Sequence, residues 1–152
     1  MIWADLVPPD KTNIFMIEIA ELKSCKLLED LSDYELSLLS SVGSPTSWSE
    51  GEILFRAGSL SKDFYILKSG TVLLCFPNGR SLPIRGEGEL IGWTALVSPF
   101  RHIATGLCLT ECSLLQFPGM EIYNLFRMNA NLGYHLMRKV ADIMVERKKY
   151  LK

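Results

Sequence analysis

Between Ser47 and Phe117 the chain is cut by Gly51, Gly58, Gly70, Gly79, Gly86, Gly88, Gly92 and Gly106 into short runs rich in branched and aromatic side chains. Glycine at that density works against helices of any length and favours strands joined by turns. The clearest strands are Ile53-Leu54-Phe55, Phe64-Tyr65-Ile66-Leu67, Thr71-Val72-Leu73-Leu74-Cys75-Phe76, Ser81-Leu82-Pro83-Ile84 and Cys112-Ser113-Leu114-Leu115-Gln116-Phe117. Asn78-Gly79 sits between two of them and predicts a tight hairpin with positive φ at both central residues. Many short strands with frequent turns predict a sandwich or a double-stranded β-helix, that is, a jelly-roll barrel, over residues 47–118.

The flanks carry a different periodicity. Residues 1–12 read as an irregular lead, because Pro8-Pro9 removes two donors and blocks a helix. Helical spacing follows from residue 13 to about 26, and Ser32-Asp33-Tyr34-Glu35 is a capping box that predicts a helix over 33–41. The lead-in helices therefore occupy 13–46. From Gly119 the helical period returns across 120–128 and then across 132–150, so the chain ends on C-terminal helices within 119–152. The last of these carries Leu136, Met137, Val140, Ala141, Ile143, Met144 and Leu151, a stripe wider than one small sheet needs. It predicts a homodimer in which Leu136, Met137, Val140 and Met144 face the partner helix.

At 152 residues and 48% hydrophobic content the chain has enough apolar mass for one ordinary domain. A formal charge of −1 provides no positive field for nucleic acid, so no nucleic-acid partner is expected. No apolar run approaches the roughly 20 residues a membrane span needs, and the start lacks a signal-peptide pattern, which predicts a cytoplasmic protein with no membrane contact. Cys25, Cys75, Cys108 and Cys112 are scattered among apolar neighbours and read as buried thiols. With only His102 and His135 as imidazoles, no metal site or cofactor is expected. No nucleophile elbow and no P-loop is present, so the chain does not read as an enzyme.

Three glycine-framed segments carry a resemblance. Gly51-Glu52-Ile53-Leu54-Phe55-Arg56-Ala57-Gly58, Asp63-Phe64-Tyr65-Ile66-Leu67-Lys68-Ser69-Gly70-Thr71-Val72 and Gly88-Glu89-Leu90-Ile91-Gly92-Trp93-Thr94-Ala95-Leu96 are similar, in order and spacing over residues 27–150, to the cyclic nucleotide-binding domain of catabolite-activator-like proteins. That resemblance implies a phosphate-binding cassette in the third segment, with ligand contacts from Gly88, Glu89, Ile91, Gly92, Trp93, Thr94 and Ala95. An adjacent stretch would add Arg101, His102, Ala104 and Thr105. A turn starting near Gly92 would aim backbone amides at an anion. It also implies a regulatory role, in which a small anionic ligand, a cyclic nucleotide such as cyclic AMP among the candidates, shifts the C-terminal helix. This sequence has no residues after Lys152 for a helix-turn-helix, so either a partner protein or a further domain is expected to read the signal.

The chain departs from the family pattern twice. Arg101 is the natural phosphate partner, yet alignment on Ala104 puts His102 at the arginine's position, and one residue of register reverses a strand side chain. Trp93 stands where a glutamate usually accepts from the ribose hydroxyl; an indole only donates, and it either stacks on a flat ligand or fills the pocket as core. These departures keep two alternatives open: a ligand-free dimerisation or interaction module, and a haem sensor using His102. Arg147-Lys148-Lys149-Lys152 reads as a solvated helix end.

Overall fold

The structure, a computed structural model, describes residues 17–151. Helices α1 (Ile19–Lys23) and α2 (Asp33–Val42) lead into strands β1 (Ser44–Trp48), β2 (Ile53–Phe55), β3 (Asp63–Ser69), β4 (Val72–Cys75), β5 (Ser81–Ile84) and β6 (Leu90–Ile91). Strands β7 (Thr105–Cys108) and β8 (Cys112–Pro118) follow, then helices α3 (Gly119–Met128) and α4 (Ala130–Arg147). Single 3-10 turns lie at Lys26–Leu28, Trp93–Leu96 and Lys148–Leu151. The strands form two four-stranded antiparallel sheets, ordered β1-β8-β3-β6 and β2-β7-β4-β5, the jelly-roll arrangement expected from the glycine-cut runs.

The unbroken apolar run in β3 is explained by burial on both faces, because successive side chains of a strand point to opposite sides. Tyr65 and Leu67 enter the barrel, where they meet Leu74, Ile91, Cys108 and Leu114. Phe64 and Ile66 face outward into a second core built with Leu22, Leu36, Leu39, Ile122, Leu136 and Val140 from the helices. Phe64 stacks on Phe117 of neighbouring β8 at 5.0 Å between ring centres, so the sheet and the helical layer share one continuous apolar seam.

The capping box behaves as its spacing demands: the Ser32 hydroxyl accepts from the Glu35 amide at 3.1 Å, and the Glu35 carboxylate accepts from the Ser32 amide at 3.0 Å. Glu35 also reaches His135 of α4 at 3.2 Å, tying the first helices to the last. The helix expected over 13–26 lies partly outside the described residues. Its described part is only α1, which opens at Ile19 where the Glu21 carboxylate takes the Glu18 amide. The irregular lead expected over 1–12 also lies outside the described residues.

Three local readings differ from the sequence expectation. Strand β1 begins at Ser44, inside the stretch read as helical; Ser-Pro-Thr-Ser-Trp has little β character, and Pro45 is tolerated because β1 is an edge strand. The Asn78-Gly79 hairpin is a three-residue loop. Only Gly79 has positive φ (89°), and the Phe76 amide reaches the Arg80 carbonyl at 2.8 Å, the pattern of an ordinary turn followed by a left-handed glycine. The proposed dimer face needs correction at two positions. Leu136 and Val140 are 1% and 0% exposed because their stripe is consumed by the protomer's own core, while Met137 and Met144 pack at its margin.

Leu136→Ala should therefore lower the unfolding free energy by about 2–5 kcal/mol. Urea denaturation at two protein concentrations checks this: a cost that appears only through dissociation would return Leu136 to an intermolecular interface.

Candidate ligand pocket

The cassette turn is fixed by Gly92, which adopts φ 79° and crosses so close to β3 that a Cβ there would lie 3.2 Å from the Asp63 carbonyl oxygen. From Gly92 the chain makes the 3-10 turn Trp93–Leu96, with the Ala95 amide donating to the Gly92 carbonyl at 3.1 Å. This delivers Trp93 and Thr94 to one side of the barrel's open end.

The opposite wall is set by a short ladder between residues 58–61 and 100–102. Phe100, in the left-handed region at φ 59°, turns the chain into it. The Gly58 amide donates to the His102 carbonyl (2.7 Å), the His102 amide to Ser59 (2.9 Å), and the Ser61 amide to Phe100 (2.7 Å). Alternation along this ladder decides the register question. Arg101 points out and is exposed, paired across from Leu60, whereas His102 points in and is 6% exposed. The side chain favoured as phosphate partner is thus outside the pocket, because the ladder turns its neighbour inward instead.

His102 is stacked face to face on Phe55, with ring centres 3.9 Å apart and planes 6° from parallel. Its Nδ1 lies 3.5 Å from the Ser61 hydroxyl and 3.4 Å from that of Thr94, and Thr94 donates to Ser61 at 2.9 Å. The Ser61 proton is then available to Nδ1, an arrangement suited to a neutral imidazole. Burial with no acidic side chain in the lining pushes the His102 pKa down to about 4. A group that the family pattern expects to be a permanent cation is here an uncharged ring. The cavity beside His102, with ≈ 20 Å³ of free space, has no room for a porphyrin in this arrangement, so the haem alternative gains no support here.

Phe55, Leu74, Phe76, Gly92, Trp93, Thr94, His102, Ile103, Ala104 and Arg147 enclose a cavity with only ≈ 20 Å³ of free space, about one water molecule's worth. Of the ligand contacts that the resemblance implies, Gly92, Trp93, Thr94, His102 and Ala104 line this cavity together. The other expected ligand residues sit elsewhere. Gly88 packs on Cys25, Ile91 and Ala95 belong to the cores, Thr105 accepts from the Ala57 amide at 3.0 Å, and Glu89 stands exposed at the rim.

Arg147 is the residue that sequence reasoning placed wrongly. It is 5% exposed and closes the cavity from the end of α4, with Glu89 as an ion partner 3.9 Å away. The signal was present, since 147 continues the buried positions Leu132, Leu136 and Val140 at helical spacing. Beyond it the chain is latched to the β4–β5 hairpin. Tyr150 stacks on Phe76 at 5.7 Å, the Asn78 amide donates to the Tyr150 carbonyl at 2.9 Å, and Arg80 donates to the Lys149 carbonyl at 2.6 Å. These donors satisfy carbonyls that a helix end otherwise leaves open.

A depressed His102 pKa means that the unfolded chain takes up the proton first as pH falls. His102 should therefore add stability that is complete above pH ~6.5 and is lost between ~6.5 and ~4. The pH slope of the unfolding free energy should be shallower in His102→Asn than in the native chain over that window. An imidazole NMR titration with its midpoint near 6.5 in the folded protein would contradict this.

A family model described as the cyclic nucleotide-binding domain matches residues 45–129. Among solved structures, a putative cyclic nucleotide-binding protein from Geobacter metallireducens GS-15 superposes with a TM-score of 0.79 at 20% identity, covering 87% of this chain and 98% of that one. The regulatory domain of Toxoplasma gondii protein kinase A, crystallised with cyclic AMP, gives 0.65 at 19% identity, over 87% of this chain and 48% of that one. The regulatory subunit of a cyclic-AMP-independent protein kinase A from Trypanosoma brucei gives 0.68 at 20%, over 86% and 44%. A search of curated protein sequences finds no match. No helix among the described residues is long and apolar enough to cross a membrane. The match spans more than half of the chain and includes the cassette turn: this chain belongs to the cyclic nucleotide-binding domain family.

Proposed function

We propose that the chain is a regulatory module that reads a small ligand at this pocket and relays occupancy to a partner through α4. The observation that carries the reading is the seat of the helix end: Arg147 is one wall of the cavity and Tyr150 lies on Phe76. A free volume of ≈ 20 Å³, against roughly 300–1,000 Å³ for typical small-molecule sites, leaves a ligand no room unless a wall gives way, and the helix end is the wall that can carry a signal outward. A ligand that binds the displaced arrangement better shifts the population toward it.

The ligand differs in chemistry from the usual cyclic nucleotide contact set. His102 is neutral where the family pattern has arginine, and Trp93 offers no acceptor for a ribose hydroxyl. The Phe55–His102 stack and the Trp93 indole favour a flat ring. The names of the fold neighbours include both a cyclic-AMP complex and a cyclic-AMP-independent subunit, so the architecture is compatible with either outcome. The nearly filled cavity also favours a second reading, a ligand-free interaction module.

Hydrogen exchange across residues 143–151 separates the two. With cyclic AMP, cyclic GMP and a fractionated pool of cell metabolites as probes, a sensor shows altered exchange there with at least one, accompanied by a shift in melting temperature. Unchanged exchange with all of them supports the ligand-free module. Calorimetry is expected to show cyclic AMP weaker than micromolar.

A homodimer through α4 remains part of the proposal, with its face redrawn. Tyr134, Met137, Ala141, Met144 and Val145 share the outer side of the helix, and Tyr134 and Val145 are well exposed. Sedimentation should give a dimer at micromolar concentration that Val145→Glu dissociates; a native monomer removes this part.

A further inference from the structure

Arg147 supplies the only permanent charge in the cavity lining, among the described residues, and its electrostatic situation is incomplete. Its side chain is 6% exposed, yet the guanidinium makes no hydrogen bond among the described residues and its carboxylate partner Glu89 stands 3.9 Å away, half in solvent. Burial pulls the Arg147 pKa down, opposed by the charges of Glu89 and Glu146. A planar fork of five donors on a buried side chain, whose unbonded nitrogens keep only slight solvent contact and whose single ion pair is the 3.9 Å one to Glu89, forms a site suited to a bidentate oxyanion. Beside it lie the hydroxyl of Thr94 and the Phe55–His102 and Trp93 ring surfaces.

We infer that Arg147 is the anion-recognising residue of this pocket, reaching it from α4 instead of from the barrel wall, and that the ligand is a small flat molecule bearing a phosphate or carboxylate group. The inference rests on the sensor reading above. It gives that reading a direct coupling, because the group that holds the ligand's charge is part of the element proposed to carry the signal. On entry the ligand's oxyanion replaces Glu89 as counter-ion, and the guanidinium turns with the last turn of α4 while remaining in contact.

The test uses the full chain, titrated with inorganic phosphate, acetate or cyclic AMP against chloride at matched ionic strength, and read by tryptophan fluorescence and melting temperature. Phosphate should give a saturable response in the native protein. Arg147→Gln should weaken it by about tenfold or more, as expected for loss of a charged hydrogen bond. Arg147→Lys, which keeps the charge but not the fork, should fall between the two. Glu89→Gln should bind phosphate more tightly, and Arg101→Gln should leave it unchanged. If Arg147→Gln does not fold, the Lys variant decides, and an affinity equal to native overturns the inference. A native protein that responds to phosphate and acetate no more than to chloride also overturns it. The sensor reading would survive that result if cyclic AMP or an uncharged metabolite still altered exchange at residues 143–151; no response from any probe would end both.

Discussion

The double-sided burial of β3 is the constraint from which the rest of the molecule follows. A strand with Tyr65 and Leu67 in the barrel and Phe64 and Ile66 against the helices cannot be satisfied by the sheets alone. The second apolar face has to be covered, and α2, α3 and α4 cover it. Because Leu136 and Val140 are committed to that task, the direction of α4 is set by the core, and its carboxyl end arrives at the mouth of the barrel. The pocket and the helical layer are therefore two ends of one packing problem.

Within the pocket, solvation decides the chemistry. An imidazole surrounded by Phe55, two hydroxyls and no carboxylate is held neutral, since the charged form would lose water without gaining a counter-charge. The buried guanidinium of Arg147 cannot take the same route, because arginine does not give up its proton in proteins. It keeps its charge and accepts a remote partner. The two basic groups of the cavity thus resolve the same desolvation in opposite ways, and only the guanidinium keeps its charge.

Much of the fold was legible because glycine spacing and apolar alternation are local signals. The Ser32/Glu35 capping box, the β3 run and the boundary at Gly119 appear in the structure where the sequence put them. Strands β1 and β7 were harder to read, one being polar with a proline and the other broken by Gly106. Both are specified by partners far along the chain. Half of the pocket was readable in the cassette at Gly92, Trp93 and Thr94. Phe55, Phe76 and Arg147 were not, since nothing local shows that a strand near residue 55, a hairpin near 76 and a helix end at 147 converge. Arg101 and His102 differ by a single residue, and only the ladder to residues 58–61 shows which one turns inward.

The hairpin latch treats its two sides unequally. Asn78 and Arg80 bind main-chain carbonyls of Tyr150 and Lys149, groups that every residue at those positions possesses. Exchange of the Lys149 side chain leaves its bond intact, whereas exchange of Asn78 or Arg80 removes one outright. Tolerance to substitution is thus lopsided across this contact. For the hydrogen bonds, the surface loop, which would ordinarily be the freest part of the barrel to vary, is the side that must be spelled correctly, while the helix end contributes side-chain identity through the Tyr150 ring on Phe76 and the Lys149 ammonium over the Tyr150 ring.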